Sequence, residues 1–173
     1  IQKEQLDRDI IRACNDLTNE VLERNGSQSF DIPERNIHIL PSEFYHQVHP
    51  TMGKVPAATL MERQAIIIDD EIRKKLIEYA SSILHEMFHL KGYYAEESSK
   101  INGDKNEYTK SKYRLGFMIF SLSKKDRQLK GIHVKSFIGL NEAIVSTFES
   151  THLQELLRRV AVPDMDTKNF PLE

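Results

Sequence analysis

The paired histidines of His85-Glu86-Met87-Phe88-His89 constrain this chain more than any other feature. On an α-helix, side chains four positions apart share a face with Cβ atoms about 5–6 Å apart. The two imidazoles then converge on a volume suited to one metal ion. Any fold the chain adopts has to keep this segment helical and that face reachable. The flanking pattern agrees. Asp69-Asp70 offer a cap and negative charge for a helix start, and Ile72, Leu76, Ala80, Ile83 and Met87 recur on one apolar face. At about 100° per residue, His85 and His89 fall nearly opposite that face, in line with Lys74, Glu78, Ser81 and Ser82. Core histidines would lie among the apolar positions, so the bland alternative is a solvated polar face. The spacing predicts a helix from Asp70 to Lys91, with Gly92 at its C-cap position.

A catalytic zinc takes three protein ligands and leaves a position for water, and the sequence offers three sources for the third. The metzincin pattern H-E-x-x-H-x-x-G-x-x-H is followed as far as Gly92, but Ala95 stands where its last histidine belongs. Glu96 and Glu97 are close in sequence and read as ordinary loop charges. Gly139-Leu140-Asn141-Glu142-Ala143-Ile144 opens a second amphipathic helix, with Leu140, Ile144, Phe148 and Thr151 on one side and Glu142 in its first turn.

With both segments in view, the chain resembles the gluzincin metallopeptidases, the thermolysin-like clan, and among them the minimal single-domain minigluzincins. The resemblance rests on His85-Glu86-Met87-Phe88-His89 and on Gly139 to Ile144, in the order helix, intervening segment, helix, and covers roughly a third of the chain. It implies His85, His89 and Glu142 as ligands of a Zn2+ ion, Glu86 as general base, and hydrolysis of peptide bonds in a peptide or protein substrate. In that chemistry zinc acidifies its water and polarises a carbonyl, while Glu86 takes the proton and passes it to the leaving amine. One departure stands out: the family places an acidic residue four positions after the glutamate ligand, against a ligand histidine, and this chain has Ser146. Either Ser146 orients the histidine more weakly or another group does so. His133, and Tyr113 with Arg114, are candidates for stabilising the tetrahedral intermediate, against the more ordinary reading of structural strand residues. A rival from another class is a regulatory or protein-binding module with cleavage rare or lost. The intact Glu86 favours the enzyme, because metal binding alone requires no base there.

Composition bounds the remaining choices. A chain of 173 residues, 39% hydrophobic and 29% charged, fits one ordinary soluble domain spanning 1–173. A net charge of −2 and the lack of a basic stripe with interleaved aromatics argue against nucleic acid, and Lys124-Lys125-Asp126-Arg127 reads as a solvated turn. Apolar runs such as Ala65-Ile66-Ile67-Ile68 are far too short to span a membrane. The absence of a visible signal peptide tilts the expectation towards the cytoplasm, although a start at Ile1 is compatible with a removed leader. Oligomeric state is not legible. The lone Cys14 excludes an internal disulfide and reads as a small buried hydrophobe.

The expected architecture is an α+β, zincin-like fold. A helix from Glu4 to about Arg24, closed by Asn25-Gly26-Ser27, backs a small mixed sheet of Asn36–Leu40, Ala57–Leu60 and Ala65–Asp69. The active-site helix follows, then a β-hairpin of Tyr113–Leu122 and Ile132–Ile138 across Ser123–Gly131, then the helix carrying Glu142. Glu96–Lys112, nearly devoid of apolar residues, is expected as an exposed, mobile loop, either a tolerated insertion or a flap beside the active-site helix. His46-Gln47-Val48-His49-Pro50 sets two imidazoles three apart in what Pro50 makes a loop-like segment, a weak candidate for an accessory metal site.

Overall fold

Ile10, Ile11, Cys14, Leu17 and Val21 form one apolar stripe, and in a computed structural model of the chain they are the buried side of helix α1 (Gln5–Arg24). The structure describes residues 1–48, 55–60, 63–92, 94–100, 108–115, 118–123, 134–136 and 138–160, with backbone alone for the strands between 94 and 136. Helix α1 opens with a capping box in which the Glu4 amide donates to Asp7 Oδ2 at 2.7 Å. It closes at Gly26, whose φ of 73° is one that glycine adopts without a Cβ penalty.

The chain divides into two compact units, one of residues 1–91 with 147–173 and one of residues 92–146. In the first, β1 (Ile37–Leu40) pairs in parallel with β3 (Ala65–Asp69), and β2 (Ala57–Leu60) pairs antiparallel on the other side of β3. The order β1-β3-β2 is a small mixed sheet, as expected. Strand β3 is buried from Ala65 to Ile68, because both sheet faces are used. Ile37, Ile39, Ile66 and Ile68 join Ile10, Cys14 and Leu17 of α1, and the helix α3 (Leu76–Leu90), in the main core. Each such aliphatic side chain stabilises the fold by about 1.5–3 kcal/mol. On the opposite face, Ala58 and Ile67 pack under Tyr45 of the short helix α2 (Ser42–Val48). Helix α4 (Ile138–Arg159) ends in this unit and buries Leu156 and Leu157 in the main core.

Two local expectations are corrected here. The predicted helix from Asp70 to Lys91 is split: Asp69 caps the Glu71 amide at 3.1 Å and starts a tighter 3-10 turn over Asp70–Lys74. Lys75 (φ −117°, ψ 82°) interrupts the helical backbone before α3 begins at Leu76. At the far end Lys91, not Gly92, is the C-cap residue of α3, in a right-handed conformation (φ −86°). Residues 42–48 are helix α2 rather than a loop. His46 lies on it, 3.7 Å from Asp69 Oδ2, and His49 falls outside the described residues.

The second unit holds an antiparallel meander, β4 (Tyr94–Lys100), β5 (Tyr108–Leu115), β6 (Met118–Ser123) and β7 (Val134–Ser136). The expectation of a loop over Glu96–Lys112 is therefore wrong for most of that stretch: Glu96 pairs with Tyr113 and Glu97 with Lys112 across β4–β5. Tyr113–Leu122 is not one strand either, since Leu115 of β5 pairs with Met118 of β6. The predicted pairing onto the segment after Gly131 is present as β6–β7, with Ser121 opposite Val134. Cross-strand backbone pairing makes these strands, and a search for apolar alternation does not detect it. The Lys124–Arg127 cluster lies outside the described residues. Among the described residues no helix is long and apolar enough to cross a membrane.

Candidate metal centre

Ile83, Leu84 and Met87 are fully buried and fix the rotation of α3 about its axis. That rotation places His85 and His89 on the half-exposed side, one above the other, with ring centroids 4.8 Å apart. Their Nε2 atoms face each other at 3.0 Å. Two nitrogens each about 2.0–2.1 Å from a tetrahedral zinc would stand roughly 3.3 Å apart, so a small rotation of either ring accommodates an ion.

Which nitrogen carries the proton follows from Glu149. Its Oε2 lies 2.8 Å from His85 Nδ1, and Ser81 Oγ hydrogen-bonds its other oxygen. Burial raises the pKa of Glu149, but the hydrogen bonds from His85 and Ser81 outweigh it and hold the carboxyl below its ordinary value. An ionised carboxylate only accepts, so Nδ1–H of His85 donates to it. In the neutral ring Nε2 is then the bare nitrogen, turned towards His89. This is the orientation that a ligating imidazole needs. Helix α4 presents Glu149 here with the help of an aromatic stack between Phe88 of α3 and Phe148, centroids 5.4 Å apart and planes inclined by 24°.

His85, His89 and Glu142 each offer a ligand atom, and these atoms all lie within 4.8 Å of one another. The set of two imidazoles and one carboxylate suits zinc, and the same donors serve other first-row divalent ions. Glu142 lies one turn inside α4, which starts at Ile138. Glu149 follows it by seven positions, two turns along the same face.

Glu86 projects from α3 and is 9% exposed. Thr59 of β2 donates to its Oε2 at 2.7 Å, and the same hydroxyl lies 3.1 Å from the Glu86 carbonyl oxygen. The carboxylate is thus held by the edge strand of the three-stranded sheet. It also adds to the burial that pushes the Tyr45 phenol up to about 12.

Of the remaining sequence candidates, Glu96, Glu97, Tyr113 and Arg114 are strand positions in β4 and β5, and His133 lies outside the described residues. Ser146 is an exposed residue of α4. The acidic partner that the resemblance leads one to seek at that position is supplied to His85 by Glu149. Sequence reading missed Glu149 and Thr59 altogether and placed Ser81 only as a polar-face residue. Helical spacing held a clue to two of them, since Ser81 precedes His85 by four and Glu149 follows Glu142 by seven. Thr59 left none. No family model matches the chain, and no curated protein or solved structure matches it.

Proposed function

We propose that this protein is a zinc-dependent metallopeptidase of gluzincin type, with His85, His89 and Glu142 as metal ligands and Glu86 as general base. The observation that carries the reading is the convergence of those three donors within 4.8 Å, with His85 already held through its far nitrogen by Glu149. When bound, zinc would supply a water of lowered pKa and a Lewis acid for the substrate carbonyl. The rest of the chemistry belongs to the chain. Glu86 sits beside the ligand pair in the same helical turn, and Thr59 steadies one carboxylate oxygen so that the group can take a proton from water and return it to a leaving amine. Strand β2, which carries Thr59, is at the end of the order β1-β3-β2, and an edge strand is a natural partner for an extended peptide.

The test uses zinc-loaded wild type, Glu86→Gln and Glu142→Ala with a mixed peptide library. Glu86→Gln is expected to keep its zinc and fold while losing hydrolysis by several orders of magnitude. Glu142→Ala is expected to lose metal. If the wild type cleaves peptides and Glu86→Gln cleaves them equally fast, the assigned base is wrong. If Glu142→Ala holds zinc as tightly as the wild type, the third ligand lies elsewhere. A zinc-bearing wild type that cleaves nothing in the library would favour the binding-module reading.

A further inference from the structure

The three-stranded sheet has a second face that the metal centre does not use. Ile37, Ile39, Ile66 and Ile68 point into the main core with α1 and α3, so the residues between them, His38, Leu40 and Ile67, point the other way. Helix α2 covers only part of that face, through Tyr45 on Ala58 and Ile67. Beside it lies a cavity of about 310 Å³, lined by Leu40, Leu60 and Ile67 with Asn36, His38 and Arg63. Its volume is at the lower end of the range for small-molecule sites.

We propose that this cavity is a binding site for a small aliphatic carboxylate. The walls from Leu40, Leu60 and Ile67 are aliphatic and suit a short hydrocarbon chain. The charge at the lining is cationic. Arg63 is exposed, and among the described residues no carboxylate lies within ion-pair distance of it. A guanidinium fork matches a carboxylate with two parallel hydrogen bonds.

A separate observation concerns how Arg63 is held. The next residue, Gln64, has φ 49°, a left-handed conformation uncommon for a residue other than glycine. Its carbonyl accepts a hydrogen bond from Asn36 Nδ2 at 2.9 Å, and Asn36 itself lines the cavity. A disfavoured backbone persists where its surroundings fix it. Here it fixes the turn that sets Arg63 at the pocket. The site is on the sheet face opposite α3, so it stands whether or not the peptidase reading holds.

The experiment is an NMR titration of the isotope-labelled full chain with octanoate, 1-octanol and octylammonium, each below its micelle concentration. Octanoate is expected to give saturable shifts at Leu60, Ile67 and Arg63. Octanol should bind roughly ten- to a hundredfold more weakly, the worth of a hydrogen bond to a charged group, and octylammonium more weakly still. Arg63→Gln should bring octanoate down to the level of octanol, whereas Arg63→Lys should fall between; the spectra of both variants report their folding directly. Equal binding of octanoate and octylammonium would overturn the proposal, as would an unchanged octanoate affinity in Arg63→Gln or the absence of saturable shifts at these residues.

Discussion

Glu149 Oε2 lies 2.8 Å from His85 Nδ1, so helix α4 determines which ring nitrogen of His85 is left to face His89. The contact joins residues 64 positions apart.

Glu149→Gln keeps the shape of the side chain and removes its charge. Zinc affinity, measured by competition with a chromogenic chelator, should fall about 10–100-fold, as removal of a hydrogen-bond partner behind a ligand usually does. Ser81→Ala, which strips one hydrogen bond from Glu149, should cost less, and Ser146→Asp should gain little while Glu149 is in place. A Glu149→Gln protein with wild-type affinity would show that His85 is oriented by some other group.

Thr59→Val removes the hydroxyl that holds Glu86 Oε2 while conserving volume. Zinc content should be unchanged and turnover should drop about tenfold, within the range for a lost hydrogen bond to a charged group. Wild-type turnover would mean that Glu86 needs no support from the edge strand.

Lys91 is buried just past helix α3, where its Nζ donates to Asn19 Oδ1 at 2.7 Å and to the Asn15 carbonyl at 3.2 Å. Burial pushes its pKa down from the ordinary 10.5 to about 8, against the opposing pull of Asp31, Cys14 and Asp16. The folded value is the lower one, so between about pH 8 and 10.5 the unfolded chain holds a proton that the folded chain has released. Stability therefore rises with pH across that window. At 1.36 kcal/mol per pH unit the rise approaches about 3 kcal/mol. Urea unfolding of wild type and Lys91→Met at pH 7.5, 9 and 10.5 isolates this group. The difference between the two proteins should move in favour of the wild type as pH rises, and a flat difference would rule the linkage out.

Asp7, 2% exposed, receives hydrogen bonds from Tyr79 Oη at 2.8 Å and from Arg73 at 2.8 and 3.3 Å, tying α1 to the 3-10 turn over Asp70–Lys74 and to the first turn of α3. Asp7→Ala should lower stability by about 3 kcal/mol, the smaller end for a broken buried pair, because the Arg73 side chain remains 22% exposed. That corresponds to a drop in Tm of roughly 6–12 °C. Tyr79→Phe should cost about 1 kcal/mol. Melting of Asp7→Ala within 2 °C or so of the wild type would show the network to be dispensable.

Much of the first unit is legible in one dimension. The stripe of α1, the aliphatic runs of β1 and β3 and the apolar face through Ile83 and Met87 are local patterns, and each leads to its element because burying that face is the main stabilising term. The same locality makes His85, Glu86 and His89 readable, since four residues on a helix is a fixed distance. Where a local signal competes with another, the reading slips. Asp69-Asp70 signals a helix start, but the start it makes is a 3-10 turn, and Lys75 delays α3 to Leu76. The strands from Tyr94 to Lys112 are not marked by apolar alternation, because antiparallel backbone pairing between these two neighbouring strands forms them.

The sequence by itself determined that two imidazoles share a helical face beside a glutamate, and that a second helix follows with Glu142 in an early turn. Only the tertiary structure decided that Glu149 holds His85, that Thr59 of an edge strand holds Glu86, and that Arg63 stands over a cavity on the opposite sheet face. The reason is geometric. Helix periodicity fixes relations among residues within a few turns, whereas contacts between residues 59 and 86 or 85 and 149 depend on how separate elements pack, and packing is set by the whole core rather than by any segment of it.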